Sequence, residues 1–199
     1  MSNFYAERVD WRALLGISSA VLYVIAAVPY VRAALRRSVR PNLVTWGGST
    51  VVNATAFAAQ MSAEPSWSAL IAGVTACYCL LIVILTWRNG DRSLNRLDLW
   101  CLCIGAVAIV AWQLSDVAEV ALFLSILADV ILCIPMIEKT RRFPRSEIPS
   151  PFLIAAGAGF LSALSAAHID AVSLSWPIWQ IFVNGTIGLL ALRTRTIAI

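Results

Sequence analysis

The sequence predicts an all-α integral membrane protein of seven transmembrane helices, N-terminus outside and C-terminus cytoplasmic. Three observations carry that prediction. The 199 residues are 60% hydrophobic and 13% charged, with a mean hydropathy of +0.80, whereas roughly a quarter of a soluble domain is charged. Apolar segments fall at 13–34, 42–63, 66–87, 97–115, 117–138, 150–169 and 172–193. Most contain a charge-free run near the ~20 residues a helix needs to cross about 30 Å of hydrocarbon. Thirteen of the fifteen Lys and Arg residues lie in every second gap between these segments. Cationic loops stay on the cytoplasmic side, so this bias orients the chain.

The first segment follows Arg8 and Arg12 and leads into Arg32, Arg36, Arg37 and Arg40. A basic cluster in place of a small-residue cleavage site marks it as a retained helix, not a cleavable signal. The second opens after Pro41 and carries Thr50, Ala54, Ala58 and Ser62 at four-residue spacing, a face on which helices can pack closely. The third opens at Trp67 and is followed by Arg88, Arg92 and Arg96. The fourth is shortest: 17 uncharged residues between Asp98 and Asp116 span about 25 Å at the helical rise. Trp100 and Trp112 near its ends suit interfacial anchoring. Asp116 and Glu119 open the fifth with capping-box spacing, at the favourable end of its dipole. Lys139, Arg141, Arg142 and Arg145 follow it. Pro149 and Pro151 open the sixth, which has a second small-residue face of Ala155, Gly159, Ala163 and Ala167. Trp176 opens the seventh, and Arg193 and Arg195 close it. Lipid offers the backbone no hydrogen-bond partner, so every span must be a helix; barrel strands would be about ten residues long and alternate polar with apolar.

Several function classes drop out. The net charge of +4 and pI near 9.0 serve orientation and contact with anionic headgroups of the lipid bilayer, so no nucleic-acid partner is expected. Cys77, Cys79, Cys101, Cys103 and Cys133 lie inside spans, with each C-x-C pair on different helix faces, which suits neither a metal site nor a disulfide framework. His168, beside Asp170, is the sole histidine and makes no metal site alone. Retinal attachment needs a lysine in the last helix, and the only lysine is Lys139, after span five. With no nucleophile–base constellation, the chain reads as no enzyme, and no cofactor is expected.

The chain also repeats itself. Pro29 follows Tyr23 by six residues in span one, as Pro135 follows Asp129 in span five. Each proline precedes a basic pair, Arg36-Arg37 or Arg141-Arg142, and then a proline-marked start to the next span, Pro41 or Pro149. Spans one to three therefore correspond to spans five to seven. A three-helix copy would insert upside down, and span four restores its orientation, giving parallel repeats. The division is 1–96, a first three-helix bundle with the N-terminal segment; 97–115, an inversion linker helix; and 116–199, a second bundle.

This plan, with "AAVPYVRAALRRSVRPNLVTW" at 26–46, "ILADVILCIPMIEKTRRFPRSEIPSP" at 126–151 and "VNGTIGLLAL" at 183–192, resembles the SWEET and PQ-loop superfamily of membrane transporters. Tyr30 and Met136 stand where that family's Pro-Gln pairs have glutamine. The nearest likeness is to bacterial membrane proteins with Arg-Pro-x-x-x-(Ser/Thr)-Trp after span one and Asp-x5-Pro in span five. The resemblance implies a multi-pass transporter of the cell membrane, in bacteria the inner membrane. It leaves open whether the chain acts alone or as a homo-oligomer.

Asp129 is the leading candidate for function. It lies 13 residues beyond Asp116, about 20 Å along the helix and near mid-bilayer. An ionisable group there costs at least ~2.5–3.5 kcal/mol and ordinarily faces a cavity or a partner. It suits a carboxyl that takes up and releases a proton, or meets a cationic group, during transport. Tyr23, Asn53, Thr75, Ser162 and Asn184 fall at similar depth, with Tyr23, Asn53 and Asn184 the stronger candidates beside Asp129 for binding a small-molecule solute. Pro29 and Pro135 are the candidate hinges of an inner gate, since proline frees the carbonyl four residues back. The expected function is a secondary transporter or facilitator of a small polar solute, proton-coupled through Asp129. The alternative is a non-transporting sensor or assembly protein whose polar core residues are interhelical contacts.

Overall fold

A computed structural model describes residues 10–37, 41, 43–63, 65–88, 90, 96–115, 117–144 and 147–193. All regular structure among them is helical: α1 (Trp11–Leu35), α2 (Leu43–Ala63), a 3-10 turn (Trp67–Ala69) leading into α3 (Leu70–Thr86), α4 (Arg96–Ser115), α5 (Ala118–Arg142), α6 (Pro149–Leu164) and α7 (Ala171–Leu192). Three stretches, Trp11–Leu35, Trp67–Thr86 and Ala118–Arg142, are long and apolar enough to cross a membrane, and Pro149–Leu164 is a shorter apolar helix. Helix length and composition thus mark a membrane protein. Arg8, Arg40, Arg92, Asp116, Arg145 and Arg195 lie outside the described residues, as do the side chains of Trp112, Pro135 and Lys139.

Local chemistry sets the helix ends. Asp10 caps α1, its carboxylate accepting from the Arg12 and Ala13 amides at 3.1 and 3.2 Å. Arg37, with φ of 56°, turns the chain out of that helix. α5 runs past the expected end at 138 because Glu138 pairs with Arg141 at 2.8 Å and with Arg142 one position on, the i+3 and i+4 spacings that support a last turn. α6 stops at Leu164 and not at 169. The Ser165 hydroxyl donates to the Ser162 carbonyl at 2.7 Å, and Asp170 caps α7 by accepting from the Ser173 amide at 2.8 Å. Glu119 lies in the first turn of α5 and is exposed, as acids at that end of the dipole can be.

Six helices close a ring in the order α1–α6–α7–α5–α2–α3, and α4 packs outside it on α5 and α2. Thus α3 sits between α1 and α2, and α7 sits between α5 and α6. Exchanging α1 with α5, α2 with α6 and α3 with α7 leaves the ring order unchanged. The smaller contacts across the middle, α2 with α7 and α3 with α6, are exchanged in the same way.

The two ends of the ring differ. At one, Trp67 Nε1 donates to Asp10 at 3.1 Å, and the 3-10 turn touches α1, α2, α6 and α7. At the other, Tyr30 of α1 stacks on Trp46 of α2, and Leu43 meets Gly90. Arg32, Arg36, Arg37, Arg88, Arg96, Arg141, Arg142 and Arg193 belong to this second, arginine end; Arg12 alone of the described basic residues starts at the Asp10 end.

Small residues set the closest helix approaches. A methyl on Gly159 of α6 would lie 3.0–3.1 Å from Ile181 Cγ1, the Ile181 amide nitrogen and the Pro177 carbonyl of α7. Of the expected α6 stripe, Ala155 and Gly159 are buried, Ala163 is half-buried and Ala167 lies beyond the end of the helix. The α2 stripe does not pack as expected: Ala54 and Ser62 are exposed, and the buried face is Val52, Asn53, Ala56, Ala59 and Gln60. Burial on α2 follows its neighbours α3 and α5, not side-chain size. Replacing Gly159 with leucine is expected to cost about 1–3 kcal/mol by overpacking, read as a lower melting temperature in detergent. Gly157→Ala, whose methyl would meet Leu22 at an ordinary 3.7 Å, should leave the melt unchanged.

Candidate functional site

The inward face of α5 presents Ala121, Leu122, Ser125, Ala128 and Asp129, all buried. Their spacing of three and four is the stripe that a ring helix must bury. Asp129 is the acid on that face, and Trp179 of α7 donates its indole N–H to Asp129 Oδ2 at 2.7 Å. Tyr23 of α1 lies within electrostatic reach of Asp129 and adjoins Thr75 and Cys79 of α3. Trp179 of α7 thus meets the carboxyl of α5 directly, while Tyr23 of α1 makes no hydrogen bond to Asp129 among the described residues.

From Tyr23 a run of aromatic rings leads to the arginine end. Tyr23 meets Tyr78 of α3 edge-on at 6.4 Å, Tyr78 meets Trp46 of α2 edge-on at 5.4 Å, and Trp46 tilts over Tyr30 at 5.1 Å. These separations suit favourable edge-to-face and offset pairs. Tyr30 directly follows Pro29, which lies inside α1 with its ring exposed. Pro135 lies inside α5, and both helices continue beyond their prolines. Pro177, inside α7, is fully buried.

The two asparagines are placed differently. Asn53 is buried on α2; its Nδ2 donates to the Ser49 carbonyl at 2.8 Å, and its Oδ1 has no hydrogen-bond partner. Asn184 on α7 donates through Nδ2 to the Gln180 carbonyl and to Gln180 Oε1, at 2.9 and 2.8 Å. Among the described residues no hydrogen bond joins either asparagine to Asp129. Thr75 is satisfied within its own helix, donating to the Ile71 carbonyl at 2.7 Å. Ser162 is not at the depth of Asp129. Because α6 ends early, Ser162 sits two residues from its end and donates to the Ser68 carbonyl at 2.8 Å.

That last contact belongs to a clasp at the Asp10 end. Ser66 Oγ accepts from the Ala167 amide at 3.1 Å. Gln60 Nε2 of α2 donates to the Val172 carbonyl of α7 at 2.9 Å. Each bond joins the α1–α3 set to the α6–α7 set. A fourth, from Ser19 of α1 to the Ala158 carbonyl at 2.7 Å, lies deeper along the α1–α6 seam.

Sequence reasoning missed Trp179, Gln60 and Gln180. A tryptophan in a membrane helix reads as an anchor until a partner is seen. Gln60, however, lies seven residues from Asn53 and Gln180 four from Asn184, so helical spacing alone links them to the polar faces. Among the described residues no group of His, Cys, Asp and Glu could hold a metal ion. An open apolar cleft of about 360 Å³ on α4, lined by Ala106, Val107, Val110, Ala111 and Leu114, offers a solute no polar partner. The chain matches no family model, no curated protein and no solved structure.

Proposed function

We propose that the protein is a secondary transporter or facilitator of a small polar solute, a seven-span protein of 3+1+3 repeats with Asp129 at its coupling centre. The observation that carries this reading is a buried carboxyl in a ring of helices whose packing order is unchanged when its halves are exchanged. Parallel repeats around a mid-membrane polar site are a recurrent transporter design. α1–α3 with the preceding residues form one unit, α4 the inversion linker, and α5–α7 the other. The Asp10 end is the outer face, because the arginine end carries the cationic residues that stay cytoplasmic. The clasp of Gln60, Ser66 and Ser162 supports a state closed to the outside. Pro29 and Pro135 are the symmetry-related hinges of the inner gate. Tyr23, Asn53 and Asn184 contribute to solute binding around Asp129.

A second reading has its own observation. The bond from Trp179 to Asp129 joins α7 to α5, as it would in a sensor or assembly protein that uses polar groups as glue. A thermal-shift screen of purified protein against sugars, amino acids, amines and vitamins, at about pH 5.5 and 7.5, separates the two. A transporter gives at least one solute that stabilises the protein, by mass action on the native state, with a pH-dependent shift. No stabilising solute in any class at either pH favours the second reading.

Orientation is tested separately. Single cysteines at positions 36, 88 and 141 in a cysteine-free background are expected to resist an impermeant thiol reagent in intact cells and to react after permeabilisation. Labelling of position 36 or 141 from outside overturns the topology.

A further inference from the structure

Four buried polar atoms on α2, α5 and α7 have no hydrogen-bond partner: Gln60 Oε1, Ser125 Oγ, Trp176 Nε1 and Asn53 Oδ1. Each residue is no more than 2% exposed, and a buried polar atom left unsatisfied is rare and costly. The three helices all touch one another. Turning the amides does not help, because Gln60 Nε2 and Asn53 Nδ2 already donate to the carbonyls of Val172 and Ser49. The orphans are two carbonyl acceptors, one N–H donor and one hydroxyl, a set that water satisfies by donating and accepting at once.

Their depths form a staircase. Measured from the helix ends at the Asp10 face, Gln60 lies about 4.5 Å in, Trp176 about 7.5 Å, Ser125 about 10 Å, Asn53 about 15 Å and Asp129 about 16 Å, at 1.5 Å per residue. The first three axial steps are of the order of one or two water diameters, and Asn53 and Asp129 lie at nearly the same depth. Val172, held by Gln60, is one turn before Trp176, and Ser125 is one turn before Asp129, so the steps also share faces. Buried neighbours on these helices, Ala56, Ala59, Ala121 and Ala128, are small.

We infer that the α2–α5–α7 seam holds a file of bound water running from beneath the Gln60 clasp to Asp129, and that protons reach Asp129 along it from the outer face. The water sites stand on the orphaned atoms alone, and the proton role rests on the transport reading. Other titratable groups near Asp129 are Tyr23 of α1, Cys79 of α3 and Cys133 of α5 itself. α2 and α7 carry no titratable residue, and α4 has Arg96 and Asp98 in its first turn. The path on the seam is therefore built from neutral groups, which suits relay through water and not through side-chain ionisation.

Two measurements test this on the full chain. X-ray-generated hydroxyl radicals label tryptophan where water is bound, so Trp176, which is 0% exposed, should be oxidised within about tenfold of the rate of exposed Trp67 if water occupies the seam. Absence of labelling at Trp176 overturns the water file and leaves the transport reading standing. In infrared spectra at low pH, the carboxyl band lost in Asp129→Asn should exchange to deuterium at least about tenfold more slowly in Ser125→Ala and Gln60→Leu than in wild type. Ser125→Ala removes one unpartnered hydroxyl, so it folds even if Gln60→Leu does not. Unchanged exchange in Ser125→Ala overturns the relay role. Labelled Trp176 together with pH-independent solute binding in wild type keeps the water and removes the transport coupling.

Discussion

Asp129→Asn should fold normally and bind solute with no dependence on pH, whereas wild-type binding changes with pH. An asparagine has the shape of the protonated acid, and its Oδ1 can still accept the Trp179 indole N–H that now reaches Asp129 at 2.7 Å. The stability change should therefore fall at the low end of the ~0.5–3 kcal/mol usual for single substitutions. Asp129→Leu differs: it strands the Trp179 N–H, and an orphaned buried donor costs about 1–3 kcal/mol. The pair of variants separates packing from coupling. The decisive measurement is solute binding or uptake against pH, with melting temperatures recorded beside it. An Asn variant with the wild-type pH profile ends the coupling role. An Asn variant that does not fold assigns Asp129 to helix packing.

How much of this arrangement could be read from the chain depends on which physical quantity each feature obeys. Helix positions follow apolar length and caps, so the segment at 13–34 became Trp11–Leu35 and that at 42–63 became Leu43–Ala63. The error at the end of α6 arose because Ala166 and Ala167 are apolar enough to extend a hydropathy run, while Ser165 and Asp170 spend their hydrogen bonds on ending one helix and starting the next. Neighbours are a different matter. Hydropathy says that a helix is covered, not by what, so the position of α3 between α1 and α2 was not readable. The offset between Tyr23–Pro29 and Asp129–Pro135 points to α1 and α5 as equivalent helices, and exchanging the two halves leaves the ring order unchanged. Asp129 stands out in the sequence because an acid inside a span is costly enough to need a reason, and it is buried in the fold. Trp179 was not found, because its indole is mostly apolar and only its partner shows what the N–H does.

Pro29→Ala should preserve or raise the melting temperature yet slow exchange between inward-open and outward-open states. Proline at an interior helical position lacks the N–H for the carbonyl of Ile25 and crowds it; alanine restores that bond, worth up to about 3 kcal/mol in a helix interior. The ring of Pro29 is exposed, so removing it opens no cavity. Its mechanical position gives the variant its functional cost. Tyr30, the next residue, begins the run of rings through Trp46 and Tyr78 to Tyr23. A bend at Pro29 would separate Tyr30 from Trp46 and open the arginine end toward the Asp129 region, while a straight α1 keeps that stack closed. Pro177 supplies the contrast. It is fully buried, so Pro177→Ala removes packed ring atoms along with the helix defect and should raise the melting temperature less than Pro29→Ala, or lower it. Spectroscopic distances between labels at positions 36 and 142 report the opening of the arginine end. Solute-dependent distance changes of wild-type amplitude and rate in Pro29→Ala, in Pro135→Ala and in the double variant would remove the hinges.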